Sequence, residues 1–300
     1  MTAAWPKRIT AVGEVLVSLQ APAGAALATA REWTVRIAGA EANFAVAFAR
    51  AGGQARICTA VGVDPPGDRV ATELAGHGLD LTHLHRDPSR PTALMLNERS
   101  AGERTVHYYR SGSAASAITV EQVLASADGA VVLSGVTLAV CADLRDRFAA
   151  LLAGLVEAGV PLLLDLNLRP SLGHVEQVVA ALRAAAPYSL AVFAGRDEAT
   201  AVFGSDAAEA HSELVLKDGP AGSWVNGVHI PAVPITVVDP VGAGDAFAGS
   251  YSGLRACGVP PVPSARVAAR VAARVVATPG DLDGLPTPDE IAAWRRLVSA

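Results

Sequence analysis

Aromatic residues make up only 5% of this chain, cysteine occurs three times, and charged side chains reach only 18%, with a net charge of −5. Each scarcity excludes something. Cys58, Cys141 and Cys257 are odd in number, lack metal-site spacing and sit in apolar surroundings, so they read as buried free thiols of a reducing, cytoplasmic compartment. The basic residues are scattered rather than blocked, which leaves no electrostatic footprint for nucleic acid or an anionic membrane. No apolar run reaches the roughly 18 residues of a membrane span, and Met1–Thr10 has no apolar core of signal-peptide length. Seven dispersed histidines give neither a metal site nor a Ser/His/Asp arrangement. No G-x-G-x-x-G follows the first strand, so dinucleotide binding has no support. The expected partner is a small molecule.

Hydrophobic residues amount to 51%, enough for a large core, and they fall in short periodic segments rather than long runs. From about Gly129 onward apolar runs alternate with helical patterns. Ala130–Leu133 precedes Leu138–Glu157, Pro161–Leu166 precedes Val175–Ala186, and Leu190–Phe193 precedes Arg196–Phe203, followed by Leu214–Leu216. Runs that are apolar on both faces belong to a parallel sheet covered on both sides. Ala246–Cys257, Ser264–Thr278 and Pro288–Leu297 read as helices. The first third differs, because Ile9–Leu19, Val35–Ile37, Ala93–Asn97 and Thr105–Tyr109 look like strands without a helix for each. Glu41–Ala51 is an Ala-rich helix stopped by Gly52-Gly53, before the strand Gln54–Val61. The expectation is a single α/β domain over 1–300: a doubly wound, mostly parallel sheet flanked by helices. A small β-sheet lid, drawn from about 13–37 and 92–110, covers the carboxyl ends of the strands, where such sheets bind ligands.

The most informative stretch is Asp239-Pro240-Val241-Gly242-Ala243-Gly244-Asp245. Ile235–Val238 reads as a strand, Pro240 breaks it, and the small residues from Asp245 to Gly253 read as a helix. The unpaired N–H groups of a first helical turn, with the dipole behind them, suit a phosphate. Asp245 beside them suits proton abstraction from a hydroxyl. Locally, an ordinary N-cap with turn glycines fits as well.

Four further clusters carry polar groups. Ala38 to Asn43 opens a helix with Gly39, Glu41 and Asn43; Tyr108 to Ala114 closes a strand with Arg110 and a polar turn. Asp165, Asn167 and Arg169 follow the Leu-rich strand, at an end that faces ligand in open α/β sheets. Lys217 to Gly222 follows Leu214–Leu216, and its glycines suit a turn on which a flat ring or phosphates pack.

Together these stretches resemble the ribokinase-like (PfkB-type) family of carbohydrate kinases over nearly the whole chain. The family's Asp-Thr-x-Gly-Ala-Gly-Asp signature stands here with Pro240 in place of threonine. The resemblance implies that Asp245 is the catalytic base and that Gly242, Ala243 and Gly244 form an anion hole. Within the family the chain is most similar to the 2-keto-3-deoxygluconate kinases, through Gly39–Asn43, Tyr108–Ala114, Ser134–Ala139 and Asp165–Pro170. That similarity implies that Gly39, Asn43, Tyr108, Arg110, Arg169, Asp245 and Asp281 contact a sugar acid. It places Asn167, Lys217, Gly219, Gly222, Gly242 and Gly244 near ATP. Two arginines suit the carboxylate of such an acceptor, which a neutral sugar lacks.

The family adds magnesium and, in some members, a monovalent cation. Its Asn-x-x-Glu element appears here as Gly195 to Glu198, so magnesium contact, through water, falls to Glu198. A lid-strand tyrosine of sugar-acid kinases is replaced within Ala93-Leu94-Met95. The implied reaction is in-line transfer of the ATP γ-phosphoryl group to a primary hydroxyl. The alternatives are a neutral-sugar kinase of fructose or ribose type, and a regulator that binds sugar or nucleotide without turnover. Exposed lid edges also suggest a homodimer or higher homo-oligomer.

Overall fold

Alternation within the apolar runs decides how the chain layers. In Arg8–Val12 the side chains of Ile9 and Ala11 enter one buried cluster and Val12 enters another; in Leu162–Asp165 Leu163 takes the first, while Leu162 and Leu164 take the second. Successive strand residues face opposite ways, so a strand apolar on both sides needs cover on both. Helices Ala40–Arg50, Ala243–Ala256 and Pro261–Val276 supply one cover, and Phe148–Glu157 with Val175–Ala185 the other. A fully buried Phe or Leu contributes about 1.5–3 kcal/mol. Phe48, Phe193, Leu151 and Leu155, all at 0% exposure, therefore account for much of why these helices dock.

The structure, a computed structural model, describes residues 4–22, 24–100, 103–204 and 213–299. Among them the main sheet has nine strands, ordered Val228–Ile230, Ser223–Val225, Leu214–Lys217, Ser189–Gly195, Leu162–Asp165, Ala130–Ser134, Arg8–Val12, Gln54–Gly62 and Asp80–Asp87. All neighbours are parallel except the terminal hairpin, Ser223–Val225 with Val228–Ile230, and its pairing to Leu214–Lys217. The connections run opposite ways from Arg8–Val12, to Gln54–Gly62 on one side and Ala130–Ser134 on the other. That puts a crevice at the carboxyl ends of the central strands.

A second sheet has the order Thr34–Ala38, Leu16–Gln20, Leu94–Ser100, Glu103–Tyr109. Thr34–Ala38 runs one residue past the span 13–37, the other three strands lie inside 13–37 and 92–110, and residues 23 and 101–102 of those spans lie outside the described ones. Among the described residues no helix is long and apolar enough to cross a membrane.

Several expectations need correction. Ile9–Leu19 is two strands in different sheets: the Gly13 N–H still bonds the Cys58 carbonyl of the main sheet, while the Val17 N–H already bonds Ala93 of the small one. Leu138–Glu157 is three helices, Gly135–Val140, Ala142–Asp146 and Phe148–Glu157. Ile235–Val238 is not a strand. Its apolar side chains find no sheet to join, with Ile235 50% and Val237 63% exposed, and the N–H groups of Val238 and Asp239 bond the Val276 carbonyl at a helix end. The helix Pro65–Gly76 and the edge strand Asp80–Asp87 were not anticipated.

Candidate active site

Helix Ala243–Ala256 starts at Gly242, whose φ of 75° lies in the left-handed region that only glycine enters at low cost. A Cβ there would come within 3.1 Å of Asp281. The first intrahelical bond runs from Ala246 N–H to the Gly242 carbonyl at 2.8 Å, so the N–H groups of Ala243, Gly244 and Asp245 have no helical acceptor. The Asp239 carboxylate accepts from Val241 N–H at 3.2 Å and fixes the approach to the turn. The helix lies against Ala40–Arg50, where a Cβ on Gly249 would be 2.2 Å from the Phe44 carbonyl. Only glycine permits this approach, and it brings Asn43 to Asp245.

Farther along the same helix, the Arg255 guanidinium donates two bonds of 2.9 Å to the two oxygens of Glu213, which also accepts from Tyr251. Glu213 immediately precedes strand Leu214–Lys217. This largely buried pair, costing about 3–5 kcal/mol when one partner is removed, locks the helix of Asp245 to the strand of Lys217.

Asp245 receives Asn43 Nδ2 at 3.0 Å on one oxygen and Asn167 Nδ2 at 3.4 Å on the other. Asn43 also donates to Asp281 at 3.3 Å. Asn167 has a positive φ of 30°, a strained backbone of the kind that collects at functional sites. Burial pushes the Asp245 carboxyl up to about 7, reinforced by Asp165 and Glu41 and opposed by Lys217 and the Asn43 bond. The Lys217 ammonium is 2.7 and 2.9 Å from the two Asp165 oxygens.

Asp245, Asn43, Asn167, Asp281 and Lys217 line one cleft of about 510 Å³ between the two sheets, within the usual range for small-molecule sites. Gly39, Asn43, Tyr108, Arg110, Arg169, Asp245 and Asp281 all line it, as do Asn167, Lys217, Gly242, Gly244 and Glu198. Ala243 adds its N–H at the helix start. Gly219 and Gly222 are not among the lining residues; they form the short helical turn and hairpin entry after Lys217. Met95 and Gly195 do line it, so a thioether and a bare backbone stand where a tyrosine and an asparagine were expected.

The two arginines are not equivalent. Arg110 donates to Glu14 at 2.7 and 2.5 Å and lies over the Tyr108 ring, and Ser113 donates to the other Glu14 oxygen at 2.5 Å. Glu14 is buried at the end of the first strand, and its apolar context in the sequence did not mark it as a site residue. Arg169 is 54% exposed, bonds the Leu168 carbonyl at 2.9 Å and stays 3.7 Å from Glu198. The carboxylate argument therefore rests on Arg169, since the charge of Arg110 is already answered.

Glu198 accepts from the N–H of Gly195 at 2.7 Å and of Leu168 at 3.1 Å. Each oxygen keeps a lone pair for a water, and among the described residues no cluster of three or more His, Cys, Asp or Glu could hold a metal directly. That donor set fits water-mediated magnesium. Glu41, singled out in the sequence beside Asn43, instead lies buried against Ser134 and Thr137, and burial raises its pKa. The Ser134–Ala139 stretch thus anchors the helix of Asn43 as well as capping its own helix.

A buried carboxylate, a helix start with N–H groups that have no helical acceptor and a sugar-sized cleft lie together here. Residues 6–288 match the model described as "pfkB family carbohydrate kinase". The chain belongs to this family. It is 32% identical to the 2-dehydro-3-deoxygluconokinase of Thermoproteus tenax over 94% of this chain and 92% of that one. It is 30% identical to a fructokinase of Klebsiella pneumoniae over 84% and 90%. A PfkB protein from Polaromonas sp. JS666, of known crystal structure, superposes with a TM-score of 0.82 at 26% identity, covering 95% of this chain and 99% of that one. The kinase thus has the ribokinase-like architecture, and the expectation of a regulator without turnover gives way to an enzyme.

Proposed function

We propose that this carbohydrate kinase transfers the γ-phosphoryl group of ATP to a primary hydroxyl of a sugar acid, with 2-keto-3-deoxygluconate as the acceptor. The observation that carries the acceptor class is Arg169, a guanidinium exposed on the wall of the cleft that holds Asp245. A planar fork of this kind binds a carboxylate in two parallel bonds. Asn43 and Asn167 hold the Asp245 carboxylate toward the acceptor hydroxyl, whose proton it takes as the oxygen meets the phosphorus in line. The free N–H groups of Ala243, Gly244 and Asp245 receive the charge of the transferring group. Glu198 would hold magnesium through water, and the ion would supply neutralisation of phosphate charge there. The smaller sheet, carrying Tyr108 and Arg110, closes the cleft as a lid, and the three free cysteines agree with a cytoplasmic setting.

Arg169→Ala tests the acceptor class. A charge-assisted bond is worth about 1.5–3 kcal/mol, so kcat/KM for the keto-deoxy acid falls about 10- to 100-fold while the rate with a neutral sugar changes little. Equal loss on both counts against the carboxylate. The Glu14–Arg110 pair favours a second reading, a kinase of fructose type, in which Glu14 rather than an arginine meets the sugar. A homodimer through the edges of the small sheet, where Tyr109 is 63% exposed, belongs to the same proposal. Light scattering at micromolar concentration should give twice the chain mass, and a monomer contradicts it.

A further inference from the structure

Among the described residues Lys217 is the only ammonium lining the cleft, and its surroundings are acidic. Asp165, Glu198, Asp245 and Asp281 all lie on or beside the same walls, and of the two cleft-lining arginines Arg110 is tied to Glu14 and Arg169 sits beside Glu198. A triphosphate entering such a cleft meets carboxylates first, so a cation is needed where its terminal group sits. Lys217 Nζ lies 3.6 Å from the position a Cβ on Gly244 would occupy, over the helix start where a phosphoryl group would bind. It reaches there while paired with Asp165, two strands away, across the carboxyl end of Ser189–Gly195, where position 195 carries no side chain.

We propose that Lys217 is a catalytic residue of this kinase, its ammonium contacting the transferring phosphoryl group at the start of helix Ala243–Ala256, and that Asp165 is the positioning residue that holds it there. The inference rests on the kinase reading above. In the step, the bond from the acceptor oxygen to the γ-phosphorus forms as the bond from that phosphorus to the bridging oxygen breaks. The electron pair of the broken bond stays with ADP, and the hydroxyl proton goes to Asp245. Lys217 keeps its proton throughout and redirects N–H bonds from Asp165 to the equatorial oxygens. Burial disfavours its charge, but Asp165, Glu198 and Asp245 more than restore it.

A tether that only joined two strands would behave differently. Losing one preorganised charge-stabilising donor costs about 10²–10³ in turnover, so Lys217→Met should lower kcat about 100-fold or more. The acid limb of its pH profile should also rise. Facing Asp245 are Asp165, Glu41 and Asp281, all acidic, and the amides of Asn43 and Asn167, so removal of Lys217 removes the cation that opposes the carboxylates. Lys217→Cys followed by bromoethylamine, which rebuilds an ammonium at nearly the same reach, should restore turnover to within about tenfold of the parent enzyme treated identically. Asp165→Asn should lower kcat less than Lys217→Met does. If Lys217→Met is within about threefold of the parent while Asp245→Asn is inactive, the proposal falls and the kinase reading stands. If Lys217→Met fails to fold, the alkylated cysteine variant decides: a folded variant that stays inactive overturns the role. A parent enzyme silent with every acceptor overturns the kinase reading and this inference with it.

Discussion

Asp245→Asn lowers turnover at least ~100-fold, the smaller end for losing a positioned general base, and leaves nucleotide affinity within about twofold. The amide keeps the shape of the carboxylate and its place at the helix start, but it cannot accept the hydroxyl proton. Steady-state kinetics on the variant and parent check this, and a rate near normal removes Asp245 as the base. The pH dependence follows from the same group. With a carboxyl titrating at about 7, the ionised base is lost below neutrality, so kcat/KM of the parent falls about tenfold per pH unit on the acid side.

The raised pKa of Asp245 also fixes the sign of an effect on stability. Between the ordinary value of 3.8 and the folded value of about 7 the native state binds more protons than the unfolded one. Stability therefore falls as pH rises through that window and does not recover above it. Each tenfold difference in proton affinity between the two states corresponds to about 1.4 kcal/mol, and water in the open cleft screens part of it. Asp245→Asn removes the buried charge, so the inactive variant melts several degrees above the parent at pH 8, with the difference vanishing near pH 4. A variant equally stable at both pH values shows that Asp245 is not held in an unfavourable charged state.

Gly242→Val should be nearly as damaging, by a different route. The turn needs a φ of 75°, which costs a side chain about 1–2 kcal/mol, and the new Cβ meets Asp281 backbone and side chain at 3.1 Å. The strain is relieved only by moving the first turn of the helix or the Asp281 loop. The former displaces the N–H groups of Ala243 to Asp245, and the latter loosens the Asn43 to Asp281 bond. A misplacement of about 1 Å costs on the order of 100-fold in rate. The expected result is a fall of that order in kcat together with a higher KM for the acceptor, measured by initial rates. Loss of kcat with an unchanged acceptor KM places the damage in the helix turn alone.

Much of this was legible because the chemistry is local. The Gly242-Ala243-Gly244-Asp245 run is contiguous, and the sequence alone indicates a helix start with free donors beside a carboxylate. The apolar alternation of the later strands likewise follows from simple burial on both faces. The strand reading Ile9–Leu19 ran across the break at Gly13, because the two runs have the same composition and only pairing to different sheets distinguishes them. Asn226-Gly227 was a missed signal. Both residues have positive φ and close the terminal hairpin, as Asn-Gly pairs do. Ile235–Val238 had the composition of a strand but no neighbour to pair with. Glu14, the pairing of Asp165 with Lys217 and the tie between Arg110 and Glu14 depend on contacts across 50 to 100 residues of chain, which no local pattern encodes.

Acceptor-dependent ADP formation by the purified protein with ATP and magnesium tests the central claim most directly. The acceptors are 2-keto-3-deoxygluconate, 2-keto-3-deoxygalactonate, gluconate, fructose and ribose, with Asp245→Asn run in parallel. Turnover is expected with the keto-deoxy acids, little with fructose or ribose, and none in the variant. Preference for a neutral sugar, or a variant as active as its parent, would contradict the claim.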